Sequence, residues 1–147
     1  MSSASTHPIE IVRQHHSIHR IIKEILAELD WLREHPERVG STWDMPVIIE
    51  SFRDAARRHF EFEEVGGPFE IALADPKEAN EARELIEDHR MIEARLCRLL
   101  AEMDGVKMPE LTVEQCFDSE IRAVIALMGE HEAQERALFA RVCTMQD

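Results

Sequence analysis

Residues 44–65 read DMPVIIESFRDAARRHFEFEEV. Wound at about 100° per residue, Ile48, Phe52, Ala55 and Ala56 fall on one face of a helix. His59 and Glu63 continue that face, while Glu61 and Glu64 point to solvent. The same phasing works outward in both directions. Upstream, Ile11, Ile18, Ile22, Ile25, Leu26 and Leu29 form a stripe with His15 inside it, His19 on its edge and His16 pointing away. Downstream, Leu85, Ile86, Ile92, Leu96, Leu100 and Met103 enclose His89 and Glu93. A last stripe, Val113, Phe117, Val124, Leu127, Met128, Leu138 and Val142, encloses His131 and Glu135.

The rest of the chain supports helices throughout. It has 147 residues, 44% apolar and 32% charged, with 5 glycines, 6 prolines and no tyrosine. That composition predicts one all-α domain spanning 1–147, its core at about 8–143 and an N-terminal arm at 1–7. The stripes predict main helices near 8–34, 44–65, 76–103 and 113–142. Thr6 or His7 is expected to cap the first, and Ser41-Thr42 to lead into the second. Gly66-Gly67-Pro68 interrupts the second, and 69–74 reads as a short extra helix. Thr112 and Gln115 form a capping box for the last. Short connections between successive helices favour antiparallel neighbours, hence an up-down-up-down four-helix bundle.

Charge and cysteine usage narrow the function. A net charge of −13 disfavours nucleic acid and anionic membranes as partners. No apolar run approaches the ~20 residues of a membrane span. The polar start lacks the apolar segment of a signal peptide. The three cysteines include no Cys-x-x-Cys pair, so reduced thiols and a cytoplasmic location are expected.

Every main helix thus carries a histidine on its core face, and three add a glutamate four residues on, one turn along the same face. A carboxylate in a core is costly unless it is paired or bound to a cation. A lone histidine of this kind is more often a satisfied core residue, but the repeated pattern calls for a shared cation. Imidazole with carboxylate suits iron, manganese or zinc. His89 and His131 lie at similar heights on antiparallel helices. His15 is nearer its helix start, so its segment must end short of the others. One of His15, His16 and His19 is expected to ligate. Glu120 lies about 16 Å along its helix from His131 and reads as a rim residue. Other metal motifs fit poorly. His131-Glu132-Ala133-Gln134-Glu135 starts like a zinc-protease helix but ends in Glu and puts Glu132 off the stripe. The Glu-x-x-His pairs of ferritin-like proteins do not occur.

His15, the run His59-Phe60-Glu61-Phe62-Glu63-Glu64, Glu87-Asp88-His89, and His131 with Glu135 resemble the hemerythrin-like HHE cation-binding family over nearly the whole chain. The resemblance implies two irons bridged by oxygen and by carboxylates. His15, His59, His89 and His131 would then be terminal ligands, and Glu63 and Glu135 bridges. The oxygen carriers of that family have a second histidine one turn after the first on the third main helix; here that position is Glu93. The carboxylate on the last helix is at i+4 rather than i+5. A carboxylate in place of an imidazole favours the ferric state, which argues against reversible oxygen carriage. Glu93 and His19 stand as additional ligand candidates.

The first expectation for function is a di-iron protein, with zinc or manganese as alternative metals, that binds or reacts with O2, NO or peroxide. The second is an iron- or oxygen-responsive module without turnover, and the third a bundle without metal. No catalytic residue outside the ligands is assigned.

Overall fold

A computed structural model of the chain describes residues 2–35, 44–105 and 117–144. Among these residues there are five helices and no strand: α1 (Ser2–Glu34), α2 (Met45–Glu64), α3 (Pro68–Ala74), α4 (Ala79–Asp104) and α5 (Asp118–Thr144).

The four long helices run up-down-up-down, and polar contacts show it. Along α1 and α5, His19 meets Glu132, Asp30 meets Arg122 and Arg33 meets Asp118, so numbers rise on one helix as they fall on the other. Glu64 meets His89 and Arg57 meets Glu93 between α2 and α4. Asp88 meets His131 and Glu78 meets Arg141 between α4 and α5. Gln14 meets His59 between α1 and α2, whose far ends bring Glu28 within reach of the Asp44 charge.

Several boundaries differ from those expected. α1 starts at Ser2, so the helix runs through the stretch read as an arm and past the Thr6 and His7 cap positions. His15 therefore stands well inside its helix, as the other three histidines do. α2 begins one residue after Asp44, with Pro46 in the first turn, where its missing N–H costs no hydrogen bond. α4 begins at Ala79 rather than Pro76. The Asp75 side chain accepts a hydrogen bond from Lys77 N at 3.0 Å and its carbonyl accepts from Glu78 N, so Asp75-Pro76 makes a turn instead. α5 begins at Asp118, directly after Phe117, which takes a left-handed φ of 62°; the expected start near 113 lies outside the described residues. Ser41-Thr42 and the Thr112–Gln115 box lie outside the described residues.

Among the described residues, two apolar clusters sit toward opposite ends of the bundle. The larger packs Ile18, Ile25, Ile49, Phe52, Leu96 and Met128 with their neighbours. Each such side chain contributes roughly 1.5–3 kcal/mol on burial. The smaller joins Phe69 and Ala72 of α3 to Ala82, Leu85, Leu138 and Val142. Between them lies a belt of buried polar groups that includes His59, Glu63, His89, His131 and Glu135.

α3 reaches its place through Gly66-Gly67. Gly66 has φ +73°, which glycine adopts freely. A Cβ on Gly67 would stand 2.7 Å from the Glu63 carbonyl oxygen and 2.8 Å from that of Phe62, closer than side chains tolerate. This tight reversal folds α3 across the end of the belt. No helix among the described residues is long and apolar enough to cross a membrane.

Candidate metal centre

Helical spacing alone stacks His59 on Glu63 and His131 on Glu135. Packing then brings the helices' contributions together in two groups. His15, His59, Glu63 and Glu135 each offer a donor atom within 4.8 Å of the others'. His89, His131 and Glu135 do the same, so Glu135 belongs to both groups. The imidazoles pair off accordingly, with ring centroids 4.5 Å apart for His15 and His59 and 4.6 Å for His89 and His131.

Outer contacts orient three of the rings. His59 Nδ1–H donates to Gln14 Oε1 at 2.7 Å, and His89 Nδ1–H donates to Glu64 Oε2 at 2.6 Å. His131 Nδ1–H donates to Asp88 Oδ2 at a longer 3.4 Å. A proton held on Nδ1 leaves each Nε2 as a lone-pair donor facing inward. Yet what those nitrogens face is carboxylate. Glu135 Oε2 lies 2.8 Å from His89 Nε2 and 2.6 Å from His131 Nε2. Glu63 Oε2 lies 3.1 Å from His59 Nε2, out of hydrogen-bond alignment, and both Glu63 oxygens are buried without a hydrogen-bond partner among the described residues. His15 Nε2, His59 Nε2 and Glu135 Oε1 share that condition. Buried polar atoms are rarely left unsatisfied, and lone pairs facing carboxylates repel unless a positive charge lies between them. The donor set therefore fits a cation, and its N/O mix fits iron, manganese or zinc.

The electrostatics of the metal-free site carry the same tension. Burial pushes the Glu135 carboxyl well above its ordinary range, and the charge of Glu63 pushes it further. Burial would raise Glu63 too, but His59 and His89, in the form that carries a proton on the facing Nε2, outweigh it and hold that carboxyl below the usual range. The two neighbouring carboxyls are thus driven in opposite directions, Glu135 toward holding a proton and Glu63 toward giving one up. Burial and the neighbouring His89 push His131 down to about 4, and burial with His59 lowers His15.

The structure separates the remaining candidates. Glu93 is not in the middle of its stripe: its carboxylate sits 3.4 Å from Arg57 at the surface, outside both groups. The buried seam of α4 runs through Leu85, His89, Ile92, Leu96, Leu99 and Met103, which leaves Glu93 on its flank. His16 is exposed. His19 belongs to neither group and donates instead to Glu132 at 2.9 Å. Glu132, read as lying off its stripe, is only 4% exposed. Glu64, read as solvent-facing, leans in to His89. Gln14, Glu64, Asp88 and Glu132 were not legible as site residues, since each acts across a helix–helix seam rather than along its own stripe. The short pair Asp88-His89 was their one sequence signal.

Aromatic rings complete the walls. Phe60 stacks on His89 at 3.9 Å and meets His131 edge-on at 5.9 Å; Phe69 of α3 meets His89 edge-on at 5.3 Å.

An antiparallel four-helix bundle with a buried imidazole–carboxylate belt is the architecture of a cation-binding protein. The family described as hemerythrin HHE cation binding domain matches residues 7–143, nearly the whole chain, and the protein belongs to it. Comparison with curated proteins and with solved structures finds no match.

Proposed function

We propose that this chain is a non-haem di-iron protein that binds or reacts with O2, NO or peroxide. The observation that carries the reading is the convergence of four inward imidazole nitrogens on two buried carboxylates, in two donor groups that share Glu135. His15 and His59 would be the imidazole ligands of one iron and His89 and His131 those of the other, with Glu63 and Glu135 between the two; zinc or manganese could take the same donors. When bound, the iron pair would supply electrons and a coordination position for the small ligand. The chain's own part is to orient the imidazoles through Gln14, Glu64 and Asp88, and to keep bulk water away with Phe60 and Phe69. The reading takes residues 1–147 as one domain. It places the protein in the cytoplasm, on the strength of its acidity and thiol usage, with neither nucleic acid nor membrane as partner.

A second reading rests on the buried unpartnered atoms themselves. A cation that satisfied them would couple folding to loading, which is what an iron-responsive module without turnover needs.

Metal content and the visible spectrum of protein purified aerobically from iron-supplemented cells test the proposal. Two irons per chain, with charge-transfer bands that move on adding azide, NO or peroxide, are expected. Zinc, one iron or no metal would sink the di-iron reading. Two irons with no spectral response, plus a large rise in melting temperature on loading, would favour the responsive module.

A further inference from the structure

We propose that His19 and Glu132 form an entry station for a divalent cation on its way to the His15/His59 end of the centre. The inference rests on the metal-centre reading above.

The starting point is Glu132, a buried carboxylate that belongs to neither donor group. It pairs at 2.9 Å with His19, whose side chain is 52% exposed. A carboxylate so deep beside a half-open imidazole is costly as a structural pair, because the exposed partner compensates burial poorly. As a cation station the arrangement makes sense: one ligand faces solvent and the other lies inside. The next donor inward is one helical turn away. The His15 ring lies nearly parallel to the His19 ring, centroids 6.3 Å apart, and its Nε2 is buried without a hydrogen-bond partner among the described residues. A cation taken up between His19 Nε2 and Glu132, displacing the proton they share, would therefore meet an open imidazole nitrogen on its inward side.

Among the described residues, the approaches beside Glu64, Asp88 and His89 face the wrong way or are covered. Glu64 and Asp88 also reach the seams, but both sit behind Nδ1 atoms, so a cation there would face the protonated side of the ring. Phe60 and Phe69 cover His89. Among the described residues, α1 and α5 make the sparsest contact of any neighbouring long helices, and the His19–Glu132 pair lies in that seam. The fixed negative charge of Glu132 would concentrate cations at this opening, an effect that raises association rates by 10-fold or more in charged clefts.

Cobalt(II) uptake by the metal-free full-length protein, followed by stopped-flow absorbance, tests this. Release to excess EDTA is followed in the same way. Glu132→Gln keeps shape and removes charge; His19→Gln alters the exposed half and guards against a folding defect in the first variant. Both are expected to bind the same number of cobalt ions at unchanged affinity, with uptake and release each slowed about tenfold. A purely structural role does not slow both rates equally. Unchanged rates in both variants would overturn the entry role, and so would lost stoichiometry or affinity, which would make Glu132 a resident ligand. Failure of the wild-type protein to take up cobalt would instead overturn the metal-centre reading on which the inference stands.

Discussion

The two imidazole pairs of the belt are built from the same residues but live in different surroundings. His89 and His131 are backed by carboxylates, Glu64 and Asp88, and walled by Phe60 and Phe69. His59 is backed by a neutral amide, Gln14, while the inward nitrogen of His15 has no hydrogen-bond partner among the described residues and His15 has a half-exposed neighbour in His19. A charged acceptor behind an imidazole raises its basicity and fixes its tautomer more firmly than an amide does. The first pair is therefore preorganised and closed, the second looser and open. One position should hold its metal tightly while the other exchanges.

The largest effect should come from the residue that erases the distinction. Glu135→Gln removes the donor common to both groups, so metal at both positions should fall below detection by elemental analysis, with the apo fold retained. Retention of one tightly bound ion would show that the two groups do not depend on Glu135 equally.

The outer partners test the asymmetry directly. Asp88→Asn or Glu64→Gln should weaken binding at the His89/His131 position by roughly 10–100-fold, the usual range for such contacts. Gln14→Ala should act at the other position and fall at or below the lower end of that range. Competitive chelator titrations of the three variants read both constants, and equal losses would break the comparison.

The pH response of the metal-free protein sharpens it further. His131 has its folded pKa pushed down to about 4, so below the unfolded value near 6.5 the unfolded chain takes up a proton that the folded one refuses. Its contribution to stability is full above that range and is lost as pH falls from about 6.5 toward 4, an effect of a few kcal/mol. Glu135 has the opposite sign: its raised pKa favours the fold at low pH, and that contribution is lost as pH rises above the ordinary carboxyl range. In denaturant melts His131→Gln should flatten the acid-side loss, and Glu135→Gln the loss at higher pH. A variant slope matching wild type would show that the group titrates normally.

The smallest effect belongs to Glu93. Paired with Arg57 at the surface, it should be replaceable by Gln with no change in metal content and about 0.5 kcal/mol or less in stability. Loss of a metal in Glu93→Gln would mean that α4 turns toward the site on loading.

These residues also show what could be read in advance. His59 with Glu63, and His131 with Glu135, were legible because a helix of 3.6 residues per turn fixes which side chains share a face. The bundle topology followed from those faces and the short connections. Glu93 was misplaced because counting Ile86 and Leu100 into the stripe rotates its centre; both are only partly buried, and Leu99 takes the core position instead. Gln14, Glu64 and Glu132 escaped because reaching a neighbouring helix depends on how closely the helices pack, which no single helix encodes. The helix starts at Ser2 and Asp118 escaped because local cap signals are weak beside the packing of the helices they begin.

The reversal at Gly66-Gly67 has a consequence for inheritance of the site. The atom a side chain at 67 would strike is the backbone carbonyl of Glu63, whose carboxylate would help to hold metal in the proposed centre. A mutation that adds one methyl group to a residue with no polar side chain would thus be felt as a ligand defect. Lineages of this bundle could repaint much of their surface while that hydrogen atom on glycine stays under the same constraint as the histidines.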